Sequence, residues 1–255
     1  MIELNRTVKM PSILGKTHPA VIAVWAAVLA AARLLPSVPM LGTGSAFSLA
    51  SALVPLAGIF FGPLPGAVCA AAGSFIGSLI ASHTALAGPV SFIISAVTAF
   101  TAGLISRGKW PAALLVYAAG MVLWFSQAIG RSFPLFPAVF YGLGIMAVVL
   151  GGILAPRWLS GGNRGLKCPA VWLCAFGGMI GGASIANFVS LLLYQLPKEI
   201  WATLVVVAPL ERVVFSVGTV IIGVPLLVGL PKIGVFVGPD TAPGAAEEDP
   251  PDDSP

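Results

Sequence analysis

Carboxylates are nearly missing from most of this chain. Of its nine Asp and Glu residues, six (Asp240, Glu247, Glu248, Asp249, Asp252 and Asp253) fall in the last sixteen positions, and none lies between Glu3 and Glu199. A relay of acids across a membrane is therefore unavailable, as are the paired carboxylates of many intramembrane hydrolases. The expectation is a protein that is not an enzyme. Charge of either sign is scarce, at 9% of residues, where a soluble domain carries roughly 25%. So little charge cannot cover a globule with polar surface, which excludes a soluble enzyme, a nucleic-acid module and a disordered chain. Histidine occurs only at His18 and His83, with no Cys or carboxylate at ligand spacing, so neither a metal nor any other cofactor is expected. The three cysteines, Cys69, Cys168 and Cys174, are odd in number and sit within or beside apolar runs. They give no disulfide framework. Gly15-Lys16-Thr17 looks like the end of a phosphate-binding loop, but Met10 stands where that loop needs glycine. The chain should hydrolyse no ATP itself.

What is present is apolar sequence: 58% of residues are hydrophobic and the mean hydropathy is +1.00. A bilayer-spanning helix takes about 20 mainly apolar residues, and eight runs qualify as candidates, near 18–35, 47–62, 64–82, 88–106, 110–129, 134–155, 168–194 and 200–230. The second is short and holds Pro55, so it is expected to be tilted or broken. The fold class expected is all-α, a polytopic helical integral membrane protein of about eight apolar segments. Residues 1–17 form a cytoplasmic N-terminal segment, 18–232 the transmembrane domain, and 233–255 a cytoplasmic, largely disordered acidic and Pro-rich tail. With the N-terminus inside, nine Lys and Arg residues fall in inner connections, and only Arg131 and Lys198 fall outside. That fits the positive-inside bias, with both termini cytoplasmic. A cleaved signal peptide is disfavoured, because the first run is long and no clear cleavage site follows it.

Ionisable and polar residues inside apolar runs are costly and usually face a cavity or a partner. Glu211 and Arg212 lie about eleven residues into the last run, either as ligand contacts or as partners of neighbouring helices. Asn187, in the antiparallel seventh run, could share their layer, or make only an interhelical hydrogen bond. Arg33, Trp124, Gln127 and Arg131 gather near the outer mouth. They suit an anionic or polar solute, or else an interfacial belt. Pro36 to Phe47 is uncharged and rich in Pro and Gly, a loop able to fold over a pocket or simply to connect. In the first run Ala23, Ala27 and Ala31, and also Ala26 and Ala30, recur at spacing four. Such rows let a helix approach another closely, inside the chain or on another subunit. The likeness of Cys69–Ala81 to Cys174–Ala186 rests mostly on Gly and Ala and reads as coincidence.

Gly42 to Gly66, reading GTGSAFSLASALVPLAGIFFGPLPG, resembles the loop and second helix of the S components of energy-coupling-factor (ECF) transporters. The stretch Glu211 to Leu227, reading ERVVFSVGTVIIGVPLL, is similar to that family's last helix. The resemblance implies a substrate-binding component with a six-helix core plus extra helices, in a prokaryotic cell membrane. It implies capture of a vitamin or related micronutrient, with a transmembrane scaffold and two cytoplasmic ATPase subunits as partners. It also implies Gly42, Thr43, Gly44, Ser45 and Phe47 at the lid, Asn187, Glu211 and Arg212 in the pocket, and Ala23, Ala27 and Ala31 at the docking face. Metal-importing relatives are disfavoured, because the N-terminus lacks the histidine their sites use. A stand-alone secondary transporter and a non-transporting membrane scaffold are the competing readings.

Overall fold

The computed structural model describes residues 19–34, 37–39, 46–81 and 91–239. Nine α-helices occur among them: α1 Pro19–Ala32, α2 Val54–Phe61, α3 Pro63–Ile80, α4 Phe92–Ser106, α5 Trp110–Ser126, α6 Ala128–Ser132, α7 Leu135–Ser160, α8 Arg164–Leu193 and α9 Lys198–Gly229. Two three-residue strands, β1 Ser37–Pro39 and β2 Ala46–Ser48, are the one departure from an all-helical body among the described residues. Each of the eight apolar runs holds a helix. Pro63 and Pro111 stand in the first turns of α3 and α5, where a missing N–H costs nothing.

The second run is broken, as its Pro55 and length suggest. It forms a 3-10 turn, Leu49–Ala52, and then α2, whose eight residues are all buried. Eight residues reach only about 12 Å. Gly62, at φ 101°, then reverses the chain so that the Cβ position of Gly66 falls 2.5 Å from the Ala57 carbonyl. Only glycine adopts that φ without strain.

Contacts between helices give their directions. Gly73 lies against Ala26, and Gly77 against Ala30, so α1 and α3 run parallel. Gly178 and Gly182 lie against Ala102 and Thr98, while Gly151 lies against Leu173, so α8 is antiparallel to both α4 and α7. Ser216 meets Met179 and Gly223 meets Val171, making α9 antiparallel to α8. The described chain thus begins and ends at the same end of the bundle, the end that holds Arg107. The β-ribbon occupies the other.

Small residues line the close helix contacts of α8, and large aliphatics cover much of the exterior. Gly177, Gly178, Gly181 and Gly182 sit where a Cβ would collide with α4 or α7. Leu115, Val122, Val214 and Ile221 are 71%, 70%, 68% and 67% exposed. A water-soluble domain buries such aliphatics; a lipid-facing surface displays them, with small residues at helix contacts. Among the described residues, four helices have the length and apolarity to cross a bilayer: α3, α7, α8, and α9 with its 3-10 extension to Ile233.

After Ile233 the chain does not leave the bundle. Val237 and Gly238 are buried, Gly238 N–H donates to the Phe60 carbonyl at 2.9 Å, and Arg107 donates to the carbonyls of Gly58 and Gly238 at 3.1 and 3.5 Å. Residues 233–239, assigned to the tail on composition, are folded because α2 ends inside protein and its last carbonyls need donors. Arg107 supplies charge at that negative helix end. Burial lowers its guanidinium to about 10, which leaves it charged at neutral pH.

Candidate functional site

The ribbon pairs Ser37 with Ser48, Val38 with Phe47 and Pro39 with Ala46. From β2 the chain passes directly into the 3-10 turn, and that turn is anchored to the middle of α9. Thr219 Oγ1 lies 2.7 Å from the Ala52 carbonyl. One turn earlier Phe215 packs with Ala52 and Met179. The Ser216 hydroxyl donates to the Arg212 carbonyl at 2.6 Å. The base of the first loop is therefore fixed within about two turns of Glu211 and Arg212, both half-buried.

Asn187 lies one layer further toward the ribbon end. From the level where Ser216 meets Met179, Arg212 is four residues along its helix and Asn187 is eight, about 6 and 12 Å at helical rise. The single layer suggested by the sequence resolves into two, about a turn apart. Asn187 Nδ2 donates to the Tyr141 hydroxyl at 3.4 Å, and the Tyr117 hydroxyl donates to the Gly177 carbonyl at 2.6 Å. The two tyrosine rings meet edge-on, 6.3 Å apart.

Trp124 is part of an aromatic cluster. It stacks on Phe136 at 4.9 Å and meets Trp201 edge-on at 4.7 Å, and Phe136 stacks on Phe140 at 5.1 Å. Its indole N–H already donates to the Gly130 carbonyl at 3.0 Å. Trp124 is thus buried, with its donor already taken. Trp201 Nε1, by contrast, is buried with no hydrogen-bond partner among the described residues. Gln127 is half-buried at the end of α5, its Nε2 donating to Ser126 Oγ at 3.2 Å. Gly42, Thr43, Gly44 and Ser45 lie outside the described residues.

Ala23, Ala27 and Ala31 share the exposed face of α1, while Ala26 and Ala30 are buried against α3. Beside the exposed row runs a groove of about 400 Å³ between α1, the end of α2 and the end of α9, lined by apolar side chains such as Val24, Val28, Phe60 and Leu230. Nothing in it could orient a polar solute. Tyr117, Tyr141, Met179, Trp201 and Thr219 were not singled out from the sequence. The tyrosines carried a signal, since only three occur and all three lie within apolar runs, Tyr194 at the very end of one.

A family model described as the S component of an ECF-type riboflavin transporter matches residues 16–129. Over those residues the chain is similar to the ECF S components. The match takes in α1, the ribbon and α2 to α5, and includes the stretch Gly42 to Gly66 on which the resemblance rests. No curated protein and no solved structure matches the chain. S components are membrane-embedded subunits of transporters, not enzymes.

Proposed function

We propose that this protein is the substrate-capture subunit of an ECF-type vitamin importer, and that riboflavin is the first solute to test. The observation that carries the reading is the S-component match over residues 16–129. Support comes from the first loop being anchored to α9 beside Glu211 and Arg212. A ligand site needs an apolar and aromatic wall with a few placed polar groups. In this reading the cluster of Trp124, Phe136, Phe140 and Trp201 backs a planar ring. Asn187, Glu211 and Arg212 engage the polar part, Gln127 lies at the rim, and Gly42 to Ser45 with Phe47 cover the bound solute. The ribbon end faces outward, the Arg107 end faces the cytoplasm, and all eight apolar runs belong to the membrane domain. A transmembrane scaffold docks on Ala23, Ala27 and Ala31, and two ATPase subunits supply the energy.

Two measurements test this reading separately. Titration of the purified, folded protein with riboflavin should quench flavin fluorescence saturably. Arg212→Gln and Asn187→Ala should each weaken binding about tenfold, the effect of one lost hydrogen bond worth roughly 1.4 kcal/mol. Absence of quenching removes riboflavin as the solute. Mild-detergent purification from native membranes should recover a scaffold and two ATPases. Recovery of this chain alone, under conditions that keep a known ECF complex intact, overturns the importer reading in favour of a secondary transporter.

A further inference from the structure

The Arg107 end of the bundle carries a cationic surface that the capture function does not use. Gly108, at φ 71°, turns the chain between α4 and α5 directly against α7: its Cβ position lies 3.3 Å from Pro156 Cγ and 3.4 Å from the Gly152 carbonyl. That contact brings Lys109 to the last turns of α7, where Arg157 follows Pro156. Across the short α7–α8 connection, Lys167 Nζ donates to the Leu159 carbonyl, which folds the first turn of α8, with Arg164, back onto the same place. Lys109, Arg157 and Arg164 are exposed, and Lys167 is half-buried. The only carboxylates among the described residues, Glu199 and Glu211, lie in the first half of α9, toward the opposite end. Four cations thus share one rim with no carboxylate near them among the described residues.

The setting of these cations is amphiphilic. Trp110 packs against Gly152, and Trp110 and Trp158 are both half-buried at this rim. Leu150, Ile153 and Leu166 display 44%, 49% and 40% of their surface beside it. Cations over indoles over exposed aliphatics match, in order, the phosphate, the interface and the acyl chain of a phospholipid. A soluble polyanion would leave the aliphatic collar without use.

We propose that Lys109, Arg157, Arg164 and Lys167 form a binding surface for anionic phospholipid headgroups, with the acyl chains lying along α7 and the start of α8. The full-length protein is placed in nanodiscs of equimolar phosphatidylglycerol and phosphatidylcholine, released gently, and the lipids it retains are counted by native mass spectrometry. The expected result is several-fold enrichment of phosphatidylglycerol, with the preference falling as salt is raised. Changing Lys109, Arg157 and Arg164 together to Gln should abolish the enrichment, while Arg157→Lys and Arg164→Lys together should preserve it. An unchanged gel-filtration profile and helical circular dichroism establish that the triple variant is folded. Equal retention of the two lipids by the wild type overturns the proposal. So does an enrichment that the triple variant keeps. If enrichment appears only after residues 240–255 are removed, the chain's own acidic tail covers the surface in the intact protein, and the proposal fails in that way.

Discussion

Ala26 and Ala27 are neighbours on α1, about 100° apart around the helix, and only Ala26 faces α3. Ala26 is 8% exposed, and its backbone lies 2.6 Å from where Gly73 would carry a Cβ. Ala27 is exposed on the row with Ala23 and Ala31. The same substitution should therefore have two different consequences. Ala26→Leu forces α1 off α3 and should cost the isolated chain about 1–3 kcal/mol, the usual penalty of overpacking, read as a lower thermal midpoint in detergent. Ala27→Leu should leave that midpoint unchanged and instead eliminate the scaffold and ATPases from the co-purified complex. If the complex forms normally with Leu at position 27, the exposed alanine row is not the docking face. The sequence could not choose between the rows, because both repeat every four residues and are made of the same residue. What separates them is Gly73 and Gly77 on α3, which permit close approach to one row alone.

A helix of eight residues surrounded by protein is an unusual element, and α2 holds its place by what happens at its end. The last carbonyls of α2 are met by the Arg107 guanidinium and by the Gly238 amide. Arg107→Gln keeps some hydrogen-bonding capacity but loses the charge; a charged hydrogen bond contributes about 1.5–3 kcal/mol, and the variant should be less stable by about that much. Ending the chain at Ile233 removes the buried Val237 and the Gly238 bonds, and should cost about 1.5–3 kcal/mol. Because Arg107 also donates to Gly238, the two changes together should cost less than their sum, a coupling readable from the four thermal midpoints. The break in the second apolar run was legible from Pro55 and from its length. The return of residues 234–238 was not, because Arg107 and Gly238 are 131 positions apart. A short apolar stretch before an acidic tail gives no local sign of the helix end it will close. The candidate site divides the same way: Asn187, Glu211 and Arg212 stood out as polar groups in apolar runs. Thr219 and Met179 become informative only once the 3-10 turn at Ala52 is seen to rest on them.

At the scale of the whole molecule, the alternation of helix directions ties every connection to one of two ends, so a single labelled position reports the orientation of the rest. Cys168 is exposed near the start of α8, at the Arg107 end, while Cys69 and Cys174 are buried. Both buried thiols lie in glycine- and alanine-rich helix contacts, out of reach of a polar reagent. The native protein therefore contains its own topology probe. By the positive-inside bias, the Arg107 end is the one expected in the cytoplasm under the proposed function. A membrane-impermeant maleimide should then leave intact cells unlabelled and modify a single site in inverted vesicles, and Cys168→Ser should abolish that signal. Labelling of intact cells would place Arg107, Lys109, Arg157 and Arg164 outside and the β-ribbon in the cytoplasm. Capture of an external solute beneath the ribbon would then be geometrically impossible, because the loop anchored at Ala52 and the turn holding Glu211 and Arg212 would open to the wrong side of the membrane.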